Sequence, residues 1–142
     1  MVSGDAVKLN QKNRGHGMPE FNVYSKTCPA RVVLDRLSNK WALLILDRLA
    51  CEPVRFNQLR RDIEGVSQKV LSQTLKHLER DGMIHRQVFA TVPVTVEYSI
   101  TPLGNTLVKT VHELTHWAER NINEVMLAQQ RYDELNSTST VV

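Results

Sequence analysis

Residues 65–82, GVSQKVLSQTLKHLERDG, read as a helix with two unlike faces. Val70, Leu71, Leu75 and Leu78 fall near one stripe at helical spacing. Lys69, Ser72, Gln73, Lys76 and Arg80 form the opposite stripe, and none of them is acidic. Ser67 suits the N-cap, because its hydroxyl can accept from a free backbone N–H of the first turn, and Gly82 supplies a left-handed stop. The outward groups are those that read a duplex: lysine pairs with guanine or phosphate, glutamine with adenine, serine with either. Taken alone, such a stretch is more simply a solvated helix face. Its neighbours change that reading.

Immediately upstream, RFNQLRRDI places Phe56, Leu59 and Ile63 on one face and Gln58, Arg61 and Asp62 elsewhere, a short helix of about two turns. The link Glu64-Gly65-Val66 is short and holds a glycine, so the two helices are expected to cross steeply as a helix-turn-helix. Downstream, Ile84, Arg86, Val88 and Ala90 alternate with His85, Gln87, Phe89 and Thr91, and Val94, Val96 and Tyr98 alternate with Thr95, Glu97 and Ser99. Two runs of period two, rich in branched and aromatic residues and joined around Pro93, read as a β-hairpin. A hairpin directly after a helix-turn-helix is a wing.

Further out, residues 1 to about 24 carry Gly, Asn, Lys and Ser without an apolar period and read as a mobile arm. Order is expected from Cys28-Pro29, since Pro favours the first helical position and Val33, Leu34 and Leu37 follow at helical spacing; that helix should end near Ser38-Asn39. WALLILDRLA, residues 41–50, is apolar on most sides and is expected in the core. Thr101-Pro102 opens a last helix, with Gly104 tolerated in its first turn. Along it Leu103, Leu107, Val111, Leu114, Ala118, Ile122 and Val125 recur every three or four residues, and Val108, Trp117 and Met126 widen the apolar arc to about half the circumference. So wide an arc on a terminal helix implies that part of it meets another subunit. The fold class is therefore mainly α with a small β-hairpin: a mobile arm over 1–24, a winged helix-turn-helix domain with a terminal dimerisation helix over 25–128, and a tail over 129–142, loose from Asn136 onward.

The totals agree with one modest domain: 142 residues with 42% hydrophobic content support a single core and argue against a two-domain enzyme. Net charge is +3 and unevenly spread. Residues 1–54 carry eight Lys or Arg against five acids, 55–102 seven against five, and 103–142 three against five, so the basic part includes the polar-faced helix. No apolar run approaches the roughly 18 residues of a membrane span, and the N-terminus lacks a signal-peptide core, so a cytoplasmic protein is expected. Two cysteines, neither in a CxxC pair, make no disulfide framework and are expected to be reduced at rest.

Four blocks stand in a familiar order: CPARVVLDRLSNKWALLIL (28–46), VRFNQLRRDIEGVSQKVLSQTLKHLERDGMIHR (54–86), VPVTVEYSITPLG (92–104) and a helix containing HWAE (116–119). Together they resemble the HxlR family of winged helix-turn-helix transcriptional regulators, over about Cys28 to Glu119. The resemblance implies a homodimer joined through terminal helices, a double-stranded DNA operator of inverted-repeat form, and no enzymatic activity or cofactor. Carried onto this chain it turns Ser67, Gln68, Lys69, Ser72, Gln73 and Lys76 toward the major groove, sets Arg55 beside the phosphates, and puts Thr95 in the wing where the family usually has a basic residue. A glycine pair of the family is replaced here by Ser38-Asn39.

Two further features invite chemistry. Cys28 precedes Pro29 at the expected helix start, between Lys26 and Arg31, where free N–H groups, the helix dipole and two cations favour a thiolate. Some members of the family sense quinones, aldehydes or oxidants with a cysteine at the corresponding place, so the resemblance implies a regulatory thiol at Cys28; the plain alternative is a small capping residue. Cys51 is expected to be partly buried and able to pair with Cys28. His112 to His116, HELTH, matches the HExxH pattern of zinc proteases. Both imidazoles fall roughly 130° to 170° from the centre of the apolar arc, on the solvent side, and a third ligand and a cleft are lacking. The match is read as accidental and no metal site is assigned, a weak surface site being the milder alternative to a zinc hydrolase. A ligand-responsive regulator without thiol sensing and a winged helix that binds protein rather than DNA remain the other readings.

Overall fold

A computed structural model of the chain describes residues 20–139; residues 1–19 of the expected arm and 140–142 of the expected tail lie outside the described residues. The chain divides into two compact units at the Leu37/Ser38 bond.

The first unit opens on turns and ends in α1, Pro29–Leu37. Tyr24 N donates to Asn22 Oδ1 at 3.1 Å, Ser25 N to the Asn22 carbonyl at 3.0 Å and Cys28 N to the Ser25 carbonyl at 3.1 Å, so residues 22–28 form a bonded lead-in where the arm was expected to persist to 24. No residue of α1 is buried, and Leu34, expected on an apolar face, is 53% exposed.

The second unit holds α2 (Lys40–Leu49), β1 (Val54–Arg55), α3 (Phe56–Asp62), α4 (Gln68–Arg80), β2 (Ile84–Phe89), β3 (Thr95–Ile100) and α5 (Pro102–Ser139). Asn39 caps α2 by accepting from Trp41 N at 2.8 Å. Ala42, Ile45, Leu46 and Leu49 of α2 are buried, and α4, α5 and β3 all pack on this helix. Leu59 and Ile63 close the core from below α3, and Leu71, Leu75 and Leu78 from α4. Each of these fully buried leucines contributes about 2–3 kcal/mol of transfer free energy.

The sheet is antiparallel in the order β1-β3-β2. Arg86 faces Tyr98, Val88 faces Val96 and Phe89 faces Thr95, a register that keeps the alternating sets of the two strands on matching faces. β1 was not foreseen: Val54 pairs with Tyr98 and Arg55 with Glu97, so the segment after Pro53 adds a third strand to the wing. Two residues are too short to display a period, and only burial of Val54 against the hairpin reveals the strand.

α5 corrects the sequence reading twice. It runs as one helix to Ser139, through the segment over 129–139 assigned to the tail, because an established helix propagates through the weakly helix-forming Asn-Ser-Thr-Ser at little cost. Gly104 is also more than tolerated. It is buried, and a Cβ on it overlaps the carbonyl oxygen of Met83 and comes within 3.0 Å of Ile100 Cγ1.

Candidate nucleic-acid interface

α4 begins where Ser67 Oγ accepts from Val70 N at 3.1 Å, with Ser67 in extended backbone, and ends at Gly82, whose φ of +76° few side-chain-bearing residues adopt. Before it, Gly65 at φ +88° makes the turn from α3. These two glycines bracket the helix as the sequence implied. With Leu71, Leu75 and Leu78 buried, the exposed residues are Gln68, Lys69, Gln73, Lys76, His77, Glu79 and Arg80, while Ser72 is half-buried. Ser67 is exposed too, but its hydroxyl is committed to the cap.

Beside this face lies an open groove of about 1140 Å³, walled by α3, by α4 and by the wing. It gathers Arg55, Ser72, Lys76 and Thr95, four of the eight residues singled out for DNA, whereas Ser67, Gln68, Lys69 and Gln73 stand outside it on the helix. The groove also holds Arg86 and Arg61, which sequence reasoning passed over, and the acids Glu52, Glu79 and Glu97. Arg86 gave a signal: it is a cation at the strand parity of Ile84 and Val88, on the face that turns toward the helices. Arg61 donates to Gln58 Oε1 at 2.7 Å and Gln58 in turn to Asp62 Oδ1 at 2.7 Å.

Arg48 is committed differently. Its Nε donates to Asp62 at 2.8 Å and its Nη2 to Glu52 at 3.3 Å, and the hydrogen bond to Asp62 chiefly raises the guanidinium's already high pKa. The same bond, followed by that from Gln58, holds the Asp62 carboxyl below its ordinary value. That network ties α2 to α3. Arg55, Lys69, Lys76, Arg80 and Arg86, by contrast, make no ion pair with any described residue. Five exposed cations without an acidic partner among the described residues are available to external anions. Thr95 is half-buried, its hydroxyl 3.2 Å from that of Thr91, which also donates to the Pro93 carbonyl at 2.8 Å, so the wing tip is braced by neutral groups.

Cys51, expected to be partly buried, lies at the surface. Cys28 is buried, at 6% exposure, and both are free thiols. Arg31, expected beside the Cys28 sulfur, sends Nη1 to the Tyr24 carbonyl at 3.3 Å instead, because the turn over 22–28 brings that carbonyl within its reach. On α5, the side chains of His112 and His116 lie outside as expected, and His112 Nδ1 is 3.1 Å from Asp47 Oδ1. Among the described residues no cluster of three or more His, Cys, Asp or Glu is arranged to hold a metal. No described helix is long and apolar enough to cross a membrane.

α5 leaves Leu114, Trp117, Ile122, Met126, Leu127, Tyr132 and Leu135 between 46% and 71% exposed, so the wide apolar arc exceeds what the second unit buries.

Comparison with known proteins agrees with this architecture. The model of the HxlR-like helix-turn-helix family matches residues 36–126. The chain is 41% identical over 118 residues to the HTH-type transcriptional regulator YtfH of Escherichia coli, spanning 83% of this chain and 94% of that protein. The solved structure of the transcriptional regulator YtfH from Salmonella typhimurium superposes with a TM-score of 0.75 at 40% identity, over 78% of this chain and 99% of that one. The redox regulator HypR in its reduced form superposes with a TM-score of 0.63 at 35% identity, over 69% and 97%.

Proposed function

The chain belongs to the HxlR-like helix-turn-helix family of transcriptional regulators, and from that premise we propose that it binds an inverted-repeat DNA operator as a homodimer, in the cytoplasm and without catalytic activity. The observation that carries the proposal is the outward face of α4, where Lys69, Gln73 and Lys76 are exposed and the lysines have no acidic partner among the described residues. In the complex α4 enters the major groove, Lys69, Gln73 and Lys76 carry most of the base and phosphate contacts, and Gln68 and Ser72 lie beside them. Ser67 serves at the helix start through its backbone and cap. Arg55 and Arg86 take the phosphates that pass through the groove beside the wing, and Thr95 contributes a neutral contact. The exposed apolar residues of α5 pair with those of a second copy, which sets two α4 helices about 34 Å apart, one turn of the duplex.

Equilibrium binding of the wild type to its own upstream DNA, beside Gln73→Ala and Lys76→Ala, tests the placement. Each substitution is expected to cost about 1–3 kcal/mol; operator affinity unchanged in both would overturn it.

Control through Cys28, by oxidation or by alkylation with a quinone or aldehyde, is supported by the position of the thiol at the start of α1 and by the likeness to a redox regulator. The burial of Cys28 favours a second reading, in which a ligand acts on the dimer without thiol chemistry. Titration of operator binding with a quinone, an oxidant and a reductant separates them: thiol control requires a response that disappears in Cys28→Ser, and a response that survives assigns control elsewhere.

A further inference from the structure

Apart from the protease pattern that HELTH matches, one of its two histidines meets a carboxylate that the motif alone does not show. His112 and His116 are one helical turn apart on α5, their rings 5.5 Å between centroids and 15° from parallel, both outside the core. Asp47, on α2, sits with Oδ1 3.1 Å from His112 Nδ1. A carboxylate on one ring nitrogen fixes the proton there, leaving the lone pair on Nε2 directed outward, and makes that nitrogen a better donor to a metal. His116 makes no hydrogen bond with a described residue, so its ring is free to turn.

We propose that His112 and His116 chelate one divalent transition-metal ion of borderline softness, such as Zn²⁺, through their outer ring nitrogens, with Asp47 as the positioning residue behind His112. Zn–N bonds of 2.0–2.1 Å at a tetrahedral angle require the two nitrogens to approach to about 3.3 Å, so chelation takes the His116 ring, which no hydrogen bond holds, out of its stack and turns its nitrogen toward that of His112. The chain supplies two nitrogens and water fills the other positions, which agrees with the lack of a third ligand among the described residues. Imidazole pairs suit Zn²⁺, Ni²⁺ and Cu²⁺ and discriminate against Mg²⁺ and Ca²⁺, which require oxygen shells. Since Asp47 belongs to α2 and both ligands to α5, a bound ion strengthens the link between the central helix and the helix that carries the exposed apolar arc. The inference rests on this side-chain geometry and not on the DNA reading.

Calorimetric titration of the full chain with zinc chloride, in a Cys28→Ser, Cys51→Ser background so that no thiol competes, reads the site directly. One ion per chain is expected, with affinity falling about tenfold or more in His112→Ala and in His116→Ala. Asp47→Ala is expected to weaken binding by about tenfold, and Asp47→Asn, which keeps an acceptor for the Nδ1 proton, to restore most of it. In nitrogen-detected spectra of the imidazoles, zinc should shift Nε2 of His112 and His116 and leave His77 and His85 unmoved. Zinc binding unaltered in the His112→Ala, His116→Ala double variant, or no binding up to about 1 mM zinc, would overturn the proposal. An Asp47→Ala variant with wild-type affinity would remove Asp47 from it.

Discussion

Gly104→Ala should be among the most damaging conservative changes in the chain. Gly104 lies in the first turn of α5, and its N–H donates to Thr101 Oγ1 at 3.0 Å. That hydroxyl is shared between the carbonyls of Gly82 and Met83, and Thr101 N also donates to Met83 O at 3.1 Å. The end of α4, the start of β2 and the start of α5 therefore meet at one carbonyl, the one a Cβ at position 104 overlaps. Backbone cannot swing aside as a side chain can. Overpacking of this kind costs up to about 3 kcal/mol. Disturbing two of the Thr101 bonds adds about 1 kcal/mol each, and the better helix propensity of alanine returns about 1 kcal/mol. The net expectation is a loss of roughly 3–4 kcal/mol, taking these three contributions together. Urea unfolding followed by far-UV circular dichroism, at one protein concentration because dimer stability depends on it, measures the difference. A Gly104→Ala protein as stable as the wild type, or more stable by the alanine propensity, would refute the junction's rigidity.

Three further outcomes follow from the same contacts. Ser67→Ala removes the bond to Val70 N and is expected to lower stability by about 1 kcal/mol in urea titration, with α4 fraying at its first turn. The Asp62 carboxyl is held below its ordinary value of 3.8, first by Arg48 and then by Gln58. Its contribution is therefore complete above that value and is lost as pH falls through the lower folded-state pKa; Asp62→Asn should be less stable near neutrality and should lose less on acidification, monitored by acid unfolding. Ile122→Glu combined with Met126→Glu places charge in the exposed arc of α5, and sedimentation should show single chains where the wild type shows pairs; an unchanged dimer would move the interface elsewhere.

Much of this molecule was legible because its signals are local. Ser67 and Gly82 mark both ends of α4 by their own chemistry, and Leu71, Leu75 and Leu78 mark its buried side by spacing alone. Which residues of each hairpin strand share a face was legible for the same reason, since a slip of one residue would turn every side chain over. What escaped depends on partners distant in sequence. The role of Gly104 is set by Met83, more than twenty residues earlier. β1 exists only because Tyr98 and Glu97 accept it as a neighbour. Asp47 meets His112 across 65 residues, so the environment of HELTH could not be read from the motif. The candidate interface divides in the same way: Lys69, Gln73 and Lys76 were visible on a helical wheel, whereas Arg86 comes beside Lys76 and Ser72 only once the wing folds against α4.

The most direct test of DNA binding by α4 is the salt dependence of operator affinity, plotted as log association constant against log salt. Each phosphate neutralised by a cation contributes about −0.9 to the slope, so Lys69→Ala and Lys76→Ala, each present twice in a dimer, should each flatten it by up to about 1.8. The wild type should show a steep negative slope that these changes reduce together. A slope that is already shallow, or that is not reduced when both lysines are gone, would contradict the placement of α4 on the duplex.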